Sequence, residues 1–298
     1  MFLFHFMPKT AGTTTTRAIR YAYNFNPNNF DENISNDGKY KFIPEERSNN
    51  ISTNYKKNVI LINKKNKNIL ITGHHAAQSC FYYKNILLFF LLRHPIERLI
   101  SHYNVRKHLI KYSLEDIFIH KKLLDNPNNK KDLNYYSFHG NIPWMKNFYC
   151  QSLSGATTLK ENIITNKTCD KIINGLKNGE IELENDNKVI KVPIVFGITE
   201  SHKNTLNLFS KAANWNINVD NFYKEIAKNH DRRYADFVKT ANLKPSNALI
   251  SAIEKYNEFD IKLYNEAVKI FKTQFEKYKA PYFQNEFLCK YTNTKLSF

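Results

Sequence analysis

Phe2-Leu3-Phe4-His5-Phe6-Met7-Pro8-Lys9-Thr10-Ala11-Gly12-Thr13-Thr14 is the stretch on which the fold turns. Residues 2–7 are apolar, aromatic and short, and Pro8 ends them as it would end a strand. A loop of small and hydroxyl residues follows. Arg17-Ala18-Ile19-Arg20-Tyr21-Ala22 then continues as a helix. A strand, a tight loop and a helix in that order make a phosphate-binding design. The helix N-terminus offers unpaired N–H groups and a partial positive charge. Gly12 lets the backbone approach an anion, Thr hydroxyls add donors, and Lys9 adds a full charge. The plainer reading of the same residues is a polar turn with a solvated Lys. The loop is not a Walker loop, which needs GxxxxGK[ST] with its Lys after the glycines. Here Lys9 precedes Gly12, which counts against the alternative of a P-loop nucleotide kinase or NTPase.

Outward from this stretch, residues 69–72 form a second short apolar run before Gly73. Residues 86–92 are continuously apolar, and Arg93 and Pro95 end them. That length suits a strand covered on both faces. Pro95 then opens a helix over 95–108, where its missing N–H is harmless. Residues 110–185 read as mainly helical, broken at Asn126-Pro127 and Gly140. A strand is expected over 192–199 and a helix over 201–213. Residues 245–279 carry apolar residues at helical spacing, and the Asn-rich stretch 24–58 reads as loop. Strands alternating with helices predict one α/β domain over 1–298, a central parallel sheet flanked by helices.

Two further constellations carry chemistry. In Arg93-His94-Pro95-Ile96-Glu97-Arg98-Leu99-Ile100-Ser101-His102-Tyr103, Arg93 stands at the carboxyl edge of the expected sheet, where ligands of open α/β sheets sit. Its planar fork suits phosphate, and Ser101 on the following helix adds a hydroxyl. The competing reading pairs Arg93 with Glu97. In Thr72-Gly73-His74-His75, a His after a strand-ending Gly can present its ring to a cleft with a pKa fit for a base. A hydrogen-bonded structural His is the other reading.

Composition bounds the partners. The chain has 298 residues, 42% hydrophobic and 14% aromatic, enough for a full core and too apolar for a disordered chain. It carries 44 basic against 27 acidic residues, a net +17, which favours anionic partners; solvated Lys-Asn runs such as 63–68 account for the excess equally well. A non-enzymatic polyanion-binding protein is therefore a rival reading. No RNP1 signature, zinc finger or basic helix points to nucleic acid. Cys80, Cys150, Cys169 and Cys289 form no CxxC pair, so no metal site is expected and a reducing compartment fits. No apolar run approaches the ~20 residues of a membrane helix, and the start lacks the basic residues of a signal peptide. If the sequence is complete, no amino-terminal anchor precedes the fold, and a cytoplasmic location is expected.

The order Pro8-Lys9-Thr10-Ala11-Gly12-Thr13 after an apolar strand resembles the 5′-phosphosulfate loop of carbohydrate sulfotransferases. The run Arg93-x-Pro95-x-x-Arg98-x-x-Ser101-x-Tyr103 resembles the 3′-phosphate motif of the same family. The resemblance implies a P-loop-like sulfotransferase fold using 3′-phosphoadenosine-5′-phosphosulfate (PAPS) as co-substrate, with no metal. It implies that Lys9 neutralises the bridging oxygen and that the backbone N–H groups of Thr10, Ala11, Gly12, Thr13 and Thr14 hold the 5′-phosphate. Arg93 and Ser101 would bind the 3′-phosphate, with Arg98 structural. The family more often has Asp or Asn where this chain has His94. Thr72-Gly73-His74 is similar to the Gly-His element of the heparan-sulfate 2-O-sulfotransferase-like branch, which implies His74 as the base, with His75 the alternative. In other carbohydrate sulfotransferases a Glu has this role. Weaker matches are Ser152-Leu153-Ser154-Gly155, Val195-Phe196-Gly197-Ile198-Thr199-Glu200 and Glu258-Phe259-Asp260-Ile261-Lys262-Leu263-Tyr264. Asn229-His230-Asp231-Arg232-Arg233 resembles a basic loop that closes over the nucleotide, implying a role for Arg232. The implied acceptor is a carbohydrate, and the basic charge suits an acidic polysaccharide.

Overall fold

Leu88, Phe89, Phe90, Leu91 and Leu92 have no exposed surface, because the strand they form is covered on both faces. The computed structural model describes residues 2–5, 7, 9–23, 70–73, 76–81, 84–106, 113–120, 146–154, 164–185, 188–228, 245–292 and 295–298. His74, His75, Arg232 and the Asn-rich stretch 24–58 lie outside them. The strands are β1 (Phe2–His5), β2 (Leu70–Gly73), β3 (Leu87–Leu92), β4 (Glu180–Asn185) and β5 (Lys188–Ile198), in the order β2-β1-β3-β5-β4. β2, β1, β3 and β5 run parallel, as the alternation of strands and helices predicts.

β4 departs from that expectation. Residues 110–185 were expected to be mainly helical, yet Glu180–Asn185 pairs antiparallel with β5. The helix before it ends at Gly179, whose φ of 71° caps it in the left-handed region. Beyond it, Ile181 and Leu183 are buried between Glu180, Glu182 and Glu184, a period of two that only a strand can satisfy.

β4 reaches along β5 only to Pro193, so the rest of that edge needs other partners. Every second residue finds one. Ile194 N–H donates to the Gly179 carbonyl at 2.9 Å. The Gln274 amide accepts from Phe196 N–H at 3.2 Å and donates to its carbonyl at 3.1 Å. Thr205 Oγ1 does the same for Ile198, at 2.9 Å each way.

The helices needed below are α1 (Gly12–Ala22), α2 (Pro95–Arg106), α3 (Leu114–Phe118), α4 (Phe148–Leu153), α5 (Asn166–Asn178), α6 (His202–Ala213), α7 (Val219–Lys228), α8 (Asn247–Tyr256), α9 (Glu258–Phe271) and α10 (Thr273–Tyr278). The expected helical stretch 245–279 is thus three helices, divided at Asn257 and Lys272. A two-stranded hairpin, β6 (Glu286–Leu288) with β7 (Lys295–Ser297), closes the chain. One large core joins the sheet to α4, α5, α6 and α9, and smaller clusters fill the α2, α3 and α8 contact and the seam of α1, α6 and α7.

The strand order decides where a ligand can sit. The chain leaves β1 for β2 on one side of the sheet and leaves β3 for β5 on the other. The carboxyl ends of β1 and β3 therefore flank a topological switch point, where the loops part and leave a crevice.

Candidate functional site

Both loops at this crevice come from the motifs that the sequence singles out. Lys9 and Ala11 lie in the left-handed region, with φ of 66° and 57°, where non-glycine residues are seldom found. This tight path delivers the chain into α1 with Ala11 as N-cap. Ala11 has no side chain that could cap the helix, and its first turn holds no acidic residue. The N–H groups of Gly12, Thr13 and Thr14 therefore start the helix without competition from a capping side chain, the condition for anion binding.

The Thr residues divide their duties in a way the sequence does not show. The Thr10 hydroxyl, expected among the donors of the loop, instead donates to the Met7 carbonyl at 2.8 Å. It closes the turn, so Thr10 can offer a ligand its backbone alone. Thr15 turns inward, to the Ala11 carbonyl and to His202. Thr13 and Thr14 are half-buried.

Arg93 follows β3. Its Nη1 donates to the Lys9 carbonyl at 3.2 Å, tying the two motifs together across the switch point. Its Nη2 lies 3.4 Å from Glu97 Oε2. The pairing with Glu97 is thus present, and it does not use up the fork, since a guanidinium has five N–H donors and two contacts leave others. Its side chain is 25% exposed. Glu97 is engaged from behind, where its Oε1 accepts Lys290 N–H at 2.7 Å. Ser101 is half-buried on α2, one turn beyond Glu97 and on the same helix face. Arg98 has no exposed surface; its guanidinium lies 4.8 Å and 5.4 Å from the ring centres of Phe148 and Tyr149. It is a structural cation.

The supports of the site come from elements distant in sequence. The Tyr149 hydroxyl accepts Arg93 N–H at 3.0 Å and donates to the Arg93 carbonyl at 2.9 Å, fixing the backbone from which Arg93 projects. Glu200, at the exit of β5, accepts His94 N–H at 2.8 Å and the Tyr264 hydroxyl at 2.9 Å. Burial raises the Glu200 pKa, and these hydrogen bonds oppose the shift. Burial, helped by the Arg93 charge, pushes His94 down to about 4, so its ring is neutral at pH 7. The Val195 to Glu200 and Glu258 to Tyr264 matches hint at Glu200 and Tyr264; Tyr149 carries no such signal.

An open groove of about 590 Å³ lies elsewhere, between α5 and the β4-β5 hairpin. Its charges already face one another, as in Lys171 with Glu182 at 2.7 Å. Among the described residues, no cluster of His, Cys, Asp or Glu could hold a metal ion, and no helix is long and apolar enough to cross a membrane. No curated protein is found to match the chain. The family model described as "Sulfotransferase family" matches residues 1–295.

Proposed function

The chain belongs to the sulfotransferase family, and from that premise we propose that it transfers the sulfuryl group of PAPS to a hydroxyl of a carbohydrate. The observation that carries this reading is the 3.2 Å bond from Arg93 Nη1 to the Lys9 carbonyl. It joins an anion-accepting helix start and an arginine fork at the sheet's switch point. The residues suit a nucleotide carrying phosphates at both ends: an uncapped first turn without acidic residues, and two cations, Lys9 and Arg93, on the two loops.

PAPS supplies an activated sulfuryl group whose leaving group is a phosphate. The backbone N–H groups of Thr10 to Thr14 bind its 5′-phosphate, and Arg93 and Ser101 take the 3′-phosphate. Arg93 is held in advance by Lys9 and Glu97, so little ordering is needed on binding. The acceptor oxygen forms a bond to sulfur as the bond to the bridging oxygen breaks. Lys9 stabilises the charge that builds on that oxygen. His74, or His75 in its place, takes the acceptor proton, a contribution of roughly 10²–10⁴-fold. By the resemblance of residues 229–233, Arg232 is assigned to the nucleotide as a further cation. The net charge of +17 favours an acidic polysaccharide acceptor, and the cytoplasm is the proposed setting.

The test is calorimetric titration with 3′-phosphoadenosine-5′-phosphate, ATP and AMP. Micromolar binding of the bisphosphate, weak binding of ATP and loss in Arg93→Ala are expected. Equal binding of ATP would remove the PAPS reading in favour of a nucleotide kinase. Lys9→Ala is expected to lower turnover by at least about 10²-fold with the bisphosphate still bound.

A further inference from the structure

A chain of side-chain hydrogen bonds runs from α7 through α6 and ends in the phosphate loop. The Tyr223 hydroxyl meets His202 Nδ1 at 2.5 Å, and His202 Nε2 meets Thr15 Oγ1 at 2.8 Å. Thr15 Oγ1 in turn donates to the Ala11 carbonyl at 3.1 Å. The direction of every proton follows from the far end. A carbonyl can only accept, so the single Thr15 hydroxyl proton goes to Ala11. Thr15 Oγ1 must then accept from His202, which places the ring proton on Nε2. Nδ1 is left as an acceptor, and the Tyr223 hydroxyl donates to it. The scheme needs a neutral ring, and burial pushes the His202 pKa down to about 4.

The carbonyl at the end of this chain belongs to a residue in an unfavourable conformation. Ala11 has φ 57° and ψ 20°, where its Cβ is crowded. Its carbonyl receives both the Thr15 N–H, at 3.0 Å, and the Thr15 hydroxyl. Around the chain, Ala18, Leu206, Val219 and Phe222 pack α1, α6 and α7 into one apolar seam, so the anchoring ring has a fixed support.

We propose that His202 is a positioning residue of the phosphate loop. By donating from Nε2 to Thr15 it holds the Ala11 carbonyl in the left-handed turn and keeps the first-turn N–H groups of α1 aimed at a bound phosphate. The proposal rests on the reading of that loop given above. It assigns the fourth residue of the helix, Thr15, to the support of the loop and not to its ligand.

Two measurements test it. In nitrogen-15 spectra of the histidine rings at pH 7, His202 is expected with its proton on Nε2 alone. A proton on Nδ1, or a doubly protonated ring, overturns the chain. The second is titration with 3′-phosphoadenosine-5′-phosphate. Thr15→Val and His202→Leu are each expected to weaken binding by about tenfold, and the double variant no further than either. Thr15→Ser keeps the hydroxyl, and His202→Gln keeps an N–H near the position of Nε2; both are expected to remain within about threefold of wild type. If His202→Leu does not fold, Thr15→Val and His202→Gln carry the test. Wild-type affinity in Thr15→Val overturns the role of the chain and leaves the nucleotide site standing. Failure of the wild type to bind the bisphosphate overturns both.

Discussion

A guanidinium held by one carbonyl and one carboxylate still has N–H groups to spare, and at Arg93 the proposed phosphate contact uses that surplus. The same contacts explain why lysine could not replace it. An ammonium is a point charge, and it cannot hold Lys9 and Glu97 while presenting a fork to phosphate. Arg93→Lys is therefore expected to lose most of the preference for a 3′-phosphate, measured as the ratio of bisphosphate to AMP affinity. An unchanged ratio would mean that another residue reads that phosphate. Its neighbour His94 leaves a mark on stability. Its ring is buried 5.4 Å from Tyr264 and takes a proton only near pH 4 when folded, against 6.5 as the ordinary value. Between those values the unfolded chain binds the extra proton, so the stability contributed by the neutral ring is present above pH 6.5 and lost as pH falls to 4. The full shift is worth roughly 3 kcal/mol. Urea unfolding at pH 7 and pH 4 should show the wild type losing most of this relative to His94→Asn, and parallel profiles would contradict the neutral assignment.

Among the elements, α4 and α9 cap each other. Asn147 is the N-cap of α4 in the left-handed region, and its Oδ1 accepts the N–H groups of Phe259 and Asp260 at the start of α9, each at 3.2 Å. Asp260 returns the exchange, accepting the N–H groups of Tyr149 at 2.9 Å and Cys150 at 3.0 Å. Asn257 completes it by accepting Asn147 N–H at 3.0 Å. Two helix starts more than a hundred residues apart thus satisfy each other's donors, the work that a local capping box does within one helix. The consequence reaches the site, because α4 presents the Tyr149 hydroxyl that clasps Arg93. Asp260→Ala would strand two buried N–H groups and remove the carboxyl that acts electrostatically on the buried Arg98. A loss of about 3–5 kcal/mol is expected in urea unfolding, and a loss under about 1 kcal/mol would show that the exchange is not needed. A second element contact is as exacting. A Cβ at Gly197 would lie 2.1 Å from Thr205 Cγ2 and 2.8 Å from its Oγ1, so Gly197→Ala must displace the Thr205 side chain and disturb its clasp on Ile198.

At the scale of the molecule, the sheet order gathers the loops after β1, β3 and β5 at one edge, and the interactions of Lys9, Arg93, Glu200 and His202 all lie there. Around that edge stands a chain with a net charge of +17. If its acceptor is polyanionic, encounter gains from long-range attraction, which salt screens. Raising ionic strength from about 0.01 M to about 0.15 M shortens the Debye length from ~30 Å to ~8 Å. The KM for an acidic polysaccharide is expected to rise severalfold over that range, while that for a neutral oligosaccharide barely moves. Equal salt dependence for the two acceptors would assign the excess charge to solvated Lys-Asn runs.

The sequence by itself determined the parallel core of the sheet, the loop before α1 and the place of Arg93. Each rests on a local rule: a short apolar run whose length and ending favour a buried strand, small residues before a helix, a cation where a strand ends. β4 was legible too, in the alternation of Ile181 and Leu183 with glutamates, but a longer helical reading covered it. Only the tertiary structure decided which hydroxyls at the loop are engaged by distant elements. Thr13, Thr14 and Thr15 are alike as residues in a row, and nothing local says that Thr15 faces His202. The imidazole that claims Thr15 is chosen by how α1 and α6 pack. The same holds for Tyr149, Asp260 and Asn147, whose partners lie 56 to 113 residues away. A hydrogen bond depends on distance in space and a sequence pattern on distance along the chain, so the strands and loops could be read in advance and the supports behind them could not.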